Sequence, residues 1–284
     1  MTEAIQPTAA PPPRRPLVMG VVNVTPDSFS DGGEWFDPEA GIAHGLELWA
    51  QGARILDVGG ESTRPGAERP SVAEELRRVI PVISALVAAG CLVSVDTMRA
   101  VVAERALAAG AAIVNDVSGG LADEAMAPVV AAAGVPFVAM HWRGHSADMQ
   151  SRASYADVVA EVVAELTARR DALLDAGIDD EDLILDPGIG FAKTAAHNWA
   201  LLRGIDRLQG LGHRLLLGTS RKTFLGAVGR ARGEERAPLA RDVATAVTSA
   251  YAAQHGVWGV RVHNVIGTVD ALDVAEQLWE GSHG

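Results

Sequence analysis

The chain predicts an α/β fold, a (β/α)8 TIM barrel, on three observations. Eight short apolar segments recur along its 284 residues, and the stretches between them carry helical periodicity. Strand then helix, eight times over, is a parallel sheet sheathed in helices, and eight units close most economically on themselves. Nearly every segment also ends on a polar residue or a glycine, at the face where such a barrel keeps its chemistry.

LVMGVVN (17–23) opens the series and ends on Asn23. RILDVGG (54–60) carries Asp57, LVSVDT (92–97) carries Asp96, and AIVNDVSGG (112–120) carries Asn115 and Asp116. VPFVAMH (135–141) ends on Met140 and His141, and LILDPG (183–188) carries Asp186. RLLLGTSRK (214–222) carries Gly218 and the run Ser220 to Lys222, and VWGVRVH (257–263) carries Arg261 and His263. Residues 71–89 set Leu76, Val79, Ile80, Ile83 and Leu86 on one helical stripe. A further helix runs from about Tyr155 to Ala176, and Val265 to Trp279 closes the barrel, with Gly281 and Gly284 in a frayed tail.

A barrel needs about 250 residues, so 17–284 forms a single domain. Residues 1–16 hold Pro7, Pro11, Pro12, Pro13 and Pro16 without apolar periodicity and are a disordered lead-in. The connections after the first, second and fifth strands exceed the usual few residues, and long loops at that face tend to be functional. RARGEERAPLAR (230–241) reads as a solvated loop between the seventh helix and the eighth unit.

The formal charge of -12 argues against nonspecific nucleic-acid binding or an anionic membrane partner. One cysteine, Cys91, excludes a disulfide scaffold and a cysteine metal cluster. No run of about 18 apolar residues exists and the front end has no signal-peptide core, so the cytoplasm is the expected location.

A barrel needs no charged groups at its strand ends to hold itself together, so these residues describe a site. Asp57, Asp96, Asp116 and Asp186 lie at or just after strand ends, and two of these carboxylates, Asp96 and Asp186, with the Asn115 amide suit a ligand rich in N–H donors and ring nitrogens. Each aspartate could equally cap the helix after it. Ser220, Arg221 and Lys222 stand at the start of the seventh helix, where free N–H groups and the helix dipole favour an anion. Arg261 and His263, two apart on one strand, point the same way. These basic groups could in part pair with the aspartates, but their confinement to strands seven and eight, with the acidic groups on two, three, four and six, favours a ligand with a polar neutral end and an anionic end. Asn23, with Asp27 and Asp31 in the next loop, offers oxygen donors of the kind that hold Mg2+ beside substrate phosphates. No GxGxxG follows the first strand, so a dinucleotide fingerprint is absent.

Together these segments resemble the dihydropteroate synthases, pterin-binding enzymes of folate biosynthesis that sulfonamides inhibit. GVVNVTPDSFSDGG (20–33) resembles the family's first signature and DVGGESTRPGA (57–67) its second. SVDT, NDVSGG, LDPGIGFAKT, GTSRK and VRVHNV follow in family order, and the resemblance spans residues 17–279. MHWR (140–143) and the alanine-rich helices look most like actinobacterial members. The resemblance implies condensation of 6-hydroxymethyl-7,8-dihydropterin pyrophosphate with 4-aminobenzoate, giving 7,8-dihydropteroate and pyrophosphate. It implies a pterin slot of Asp96, Asn115, Met140, Asp186, Gly218, Lys222 and Arg261. Asn23, Arg261 and His263 would hold the pyrophosphate, with Mg2+ on Asn23 and Asp31. Phe29, Thr63, Arg64, Pro65, Phe191, Lys222 and Thr223 would border the aminobenzoate pocket. The expected catalytic set is Asp96, Arg261, His263 and Lys222, in a homodimer with no nucleic-acid or membrane partner. Thr223 stands where the family often has serine, which keeps the hydroxyl in a slightly tighter pocket. A related barrel that transfers methyl groups to corrinoid proteins would need neither the TPDSFSDGG loop nor GTSRK with Arg261 and His263. An inactive paralogue would show damage in the first two loops, and none is visible.

Overall fold

The computed structural model describes residues 15–25, 37–61, 69–144, 152–228 and 236–280. Its eight strands are β1 Leu17–Asn23, β2 Ile55–Gly59, β3 Val93–Asp96, β4 Ile113–Asp116, β5 Phe137–Met140, β6 Leu183–Asp186, β7 Arg214–Leu217 and β8 Gly259–Val262. They are parallel, close in sequence order, and β8 pairs back onto β1, so the expected barrel is the observed one. Around it lie α1 Pro38–Ala50, α2 Val72–Ala88, α3 Ala100–Ala108, α4 Met126–Ala133 and α5 Val158–Asp175. The ring is completed by α6 Ala195–Arg203, α7 Ile205–Gln209, α8 Thr223–Gly226, α9 Asp242–Gln254 and α10 Val265–Glu280.

Alternation along the strands sorts apolar side chains into two cores. Met19, Ile55, Ile113, Val138, Ile184 and Leu216 fill the barrel interior. Val22, Leu56, Val58, Val95, Val114 and Leu217 face the helices. Plugged from below, the interior leaves only the C-terminal mouth for chemistry.

Caps set the helix starts. Ser71 accepts the Glu74 N–H at 3.2 Å, so α2 occupies the segment its stripe predicts. Val79, Ile83 and Leu86 are buried as expected, joined by Val82 and, less expectedly, the carboxyl of Glu75. Asp157 accepts the N–H groups of Val159 and Ala160 at 3.0 Å, which starts α5 at Val158 rather than Tyr155.

The seventh unit departs from expectation. β7 leads into a turn and the single-turn α8, and the longer α9 begins only at Asp242. The end of the segment read as a solvated loop is built into the fold. Arg241 is 8% exposed and donates to the carbonyls of Arg236 and Arg221, both at 2.8 Å. Arg15, within the proline-rich lead-in, pairs with Asp273 of α10.

Candidate active site

Inward-facing positions bring Asp57, Asp96, Asn115, Met140, Asp186 and Arg261 to the mouth from six strands. Arg261 is the hub. Its Nε donates to Asp57 Oδ2 at 2.6 Å and its Nη2 to Asp96 Oδ2 at 2.7 Å. Asn115 Nδ2 donates to the same Asp57 oxygen at 2.9 Å. Asp57 Oδ1 and Ser94 Oγ are buried without a partner among the described residues, acceptors that a ligand edge of N–H donors would satisfy. Gly59 gives Asp96 its room, since a Cβ there would stand 3.3 Å from Asp96 Cβ.

Charge states follow from this packing. Burial pushes the Asp96 carboxyl up to about 7; Arg261 pulls it back, and Asp57, Asp116 and Glu75 add to the rise. Burial opposes the charge on Arg261, but Asp57 and Asp96 outweigh it and hold the guanidinium above its ordinary value. Asp186 is raised by burial against the pull of Lys222, and one of its oxygens accepts the Gly188 N–H at 2.7 Å. Lys222 is lowered by burial to about 8, with Asp186 acting the other way. Its Nζ donates to the Ile189 carbonyl and lies 4.7 Å from the centre of the Phe191 ring.

Gly218 lies next to both cations: a Cβ there would stand 3.7 Å from Lys222 Nζ and 3.9 Å from Arg261 Cβ. His263 meets Ser220 twice, through Nδ1 at 2.9 Å and through its backbone N–H at 3.1 Å. Thr223 is exposed as the first residue of α8. Asn23 ends β1 half-buried, with no side-chain hydrogen bond to a described residue. Asp27, Phe29, Asp31, Thr63, Arg64 and Pro65 lie outside the described residues.

Several strand-end residues do not join the mouth. Asp116 faces the helices, where Oδ1 accepts the N–H and hydroxyl of Ser118 at 2.7 Å and Oδ2 accepts the Gly120 N–H at 2.8 Å. His141 also turns outward, to Glu165 of α5 at 2.9 Å. None of the four strand-end aspartates caps a described helix. Arg221 makes a two-pronged pair with Asp242 at 2.7 and 2.8 Å from a left-handed backbone, φ +58°. The four-residue α8 does not supply the long helix dipole expected at Ser220. Of the two accounts of the basic groups, pairing is what Arg261 does. Asp57 appeared in sequence only as one strand end among several; its inward parity with Ile55 is the signal that marks it. Lys193, buried at the end of the loop that follows β6, gave none.

Among the described residues no three His, Cys, Asp or Glu side chains converge as a metal cluster. The donor on offer is the Asn23 carboxamide oxygen, hard in character and suited to Mg2+ only with further oxygens from a substrate phosphate.

Residues 19–263 match the model of the pterin binding enzymes. The chain is 57% identical over 259 residues to the dihydropteroate synthase of Mycobacterium leprae, covering 90% of this chain and 91% of that protein. Among solved structures, the Xanthomonas albilineans dihydropteroate synthase with 4-aminobenzoic acid superposes with a TM-score of 0.86. It is 47% identical and 93% of each chain is covered. The Yersinia pestis dihydropteroate synthase in complex with a sulfonamide drug gives 0.86 at 36% identity, with 94% and 95% covered.

Proposed function

The chain belongs to the pterin-binding family of dihydropteroate synthases, and on that premise we propose how its own residues run the reaction. It is a transferase of folate biosynthesis that condenses a dihydropterin with 4-aminobenzoate. The C–O bond at the pterin methylene breaks first and its electron pair leaves with pyrophosphate; the arylamine nitrogen then bonds to that carbon and gives up a proton. An uncharged arylamine needs no strong general base, and none is assigned.

The reading is carried by the cluster in which one part-buried guanidinium, Arg261, sits between two buried carboxylates, Asp57 and Asp96. Its negative excess suits a ring that gains positive charge as the C–O bond lengthens, so the substitution is dissociative. Asp96, Asn115, Asp186 and Lys222 bond the pterin edge, with Met140 and Gly218 lining the slot and Arg261 over one face. Arg261, His263 and Asn23 take the pyrophosphate. Phe191, Lys222 and Thr223 border the aminobenzoate site, with Phe29, Thr63, Arg64 and Pro65 from the first two loops. Sulfonamides, which resemble aminobenzoate, compete for that site.

Asn23 and Asp31 would hold Mg2+ beside the pyrophosphate, where the ion's chemistry is to neutralise charge on the leaving group. A homodimer belongs to the same reading. Leu239, Val243 and Val247 are 70%, 74% and 64% exposed. The two valines border an apolar cavity of about 460 Å3 walled by Trp199, Leu225 and Tyr251. The deciding test is pyrophosphate release by purified protein. It is expected only with both substrates, and release without 4-aminobenzoate at the full rate would overturn the assignment.

A further inference from the structure

Behind the mouth lies a polar chain that the reaction as described does not use. Lys193 is 4% exposed, and its Nζ reaches His141 Nδ1 and the Phe191 carbonyl, each at 3.0 Å. His141, 3% exposed, meets Glu165 Oε2 through Nε2 at 2.9 Å. Glu165 is gripped by Arg143, whose Nε lies 3.1 Å from the same oxygen.

The partners decide who donates. His141 bonds through Nε2 to Glu165, which burial-resisting bonds to His141 and Arg143 hold down at about 2 and therefore ionised. An ionised carboxylate only accepts, so the Nε2 proton is on His141. Burial holds His141 at about 4, so the ring is neutral and Nδ1 is an acceptor. Lys193 is consequently the donor to both the ring and the Phe191 carbonyl. Burial lowers Lys193 to about 7; Asp186 and Glu165 favour its charge, and Lys222 and Arg143 oppose it. Either charge state retains an N–H donor.

The segment that Lys193 ties down is the β6 loop, residues 187–193. Gly188 crosses the end of β5 so closely that a Cβ would stand 2.5 Å from the His141 carbonyl oxygen. Ala192 is buried in the left-handed region at φ +48°, a conformation that persists only under external constraint. From this loop the Ile189 carbonyl and the Phe191 ring reach Lys222, and a Cβ on Gly190 would stand 2.7 Å from Lys222 Cδ.

We propose that Lys193, oriented by His141 and Glu165, is a positioning residue that fixes the β6 loop and thereby sets where Phe191 and Lys222 meet the aminobenzoate. The inference rests on the proposed place of Phe191 at the aminobenzoate site. Loop misplacement acts mainly on that substrate: of the pterin-slot residues, Lys222 and Asp186 bond to the loop, whereas Asp96, Asn115 and Arg261 stand on strands that Lys193 does not touch.

Steady-state kinetics on the full chain separate the possibilities. Lys193→Met is expected to raise the KM for 4-aminobenzoate about tenfold, with the KM for the pterin pyrophosphate rising less, by about threefold at most. His141→Leu should do the same. His141→Asn, whose amide oxygen replaces Nδ1 as acceptor, should restore the aminobenzoate KM to within about threefold of the parent. Lys193→Met with His141→Leu should be no worse than either alone, since both break one chain. Equal rises in both KM values, or no rise in either single variant, would overturn the proposal. If Lys193→Met does not fold, the His141 pair decides alone: Asn and Leu behaving alike overturns it, and rescue by Asn supports it. Phe191→Ala is the check on the underlying reading. If it leaves the aminobenzoate KM unchanged, the placement of Phe191 fails; if it raises that KM while Lys193→Met does not, only the positioning role fails.

Discussion

Replacing Asp96 with Asn removes one charge from the mouth while keeping the shape of the side chain. Asp57 and Asp96 face a single guanidinium at 2.6 and 2.7 Å, so the ionised trio carries one negative charge in excess. Asp96→Asn leaves a balanced Asp57–Arg261 pair. At an effective dielectric near 20, a carboxylate about 4–6 Å from a developing cation is worth about 3–4 kcal/mol. Its loss should lower kcat by about 100–1000-fold. Pterin KM should change by less than about threefold, because the amide still hydrogen-bonds. Stability should move the other way. Burial holds Asp96 at about 7, above its unfolded value near 3.8. Between those values the native chain binds more protons than the unfolded one, so stability falls as pH rises through that window. The variant escapes this loss. At pH 8 it should be more stable by about 1–2 kcal/mol, a melting temperature higher by about 2–4 °C, with the gap closing toward pH 5. Pyrophosphate release, pterin calorimetry and melts at the two pH values measure all three. Intact kcat with weakened pterin binding refutes the cation-stabilising role, and a lower melting temperature at pH 8 refutes the charge-excess reasoning.

Exhaustive chelation should abolish turnover, and Mg2+ should restore it without zinc; full turnover by demonstrably metal-free enzyme rules out the role given to Asn23 and Asp31. Calorimetric titration of 4-aminobenzoate should show at least tenfold tighter binding once Mg2+, pyrophosphate and a pterin product analogue are present, and sulfonamides should follow the same dependence. Equal dissociation constants would mean a preformed pocket. Val247→Arg, at a position 64% exposed, should leave the fold intact and give a monomer by sedimentation; an unchanged dimer would move the interface off α9.

Much of the barrel was legible because secondary-structure period and turn chemistry are local. The β2–α2 junction shows it: an apolar run through Gly59, then the 71–89 stripe that buries Val79, Ile83 and Leu86. Which strand-end residues face inward was not legible to the same degree. Strands in a parallel barrel are buried on both faces and do not alternate apolar with polar, so Asn115 and Asp116 look equivalent in sequence, as do Met140 and His141. One step along the strand sends Asn115 to Asp57 in the mouth and Asp116 to a turn against the helices.

By itself the sequence determined the eight-fold alternation, the polar rim and the signatures that tie the rim to pterin chemistry, all of them properties of short segments. Tertiary structure alone decided the partners. Arg261 reaches Asp57 and Asp96 across 204 and 165 residues, and Lys193 reaches His141 across 52. Barrel closure sets β8 beside β1 and lays the β6 loop over the end of β5. The charge each group carries follows from that placement, because desolvation and neighbouring charge depend on distances that exist only once the barrel has closed.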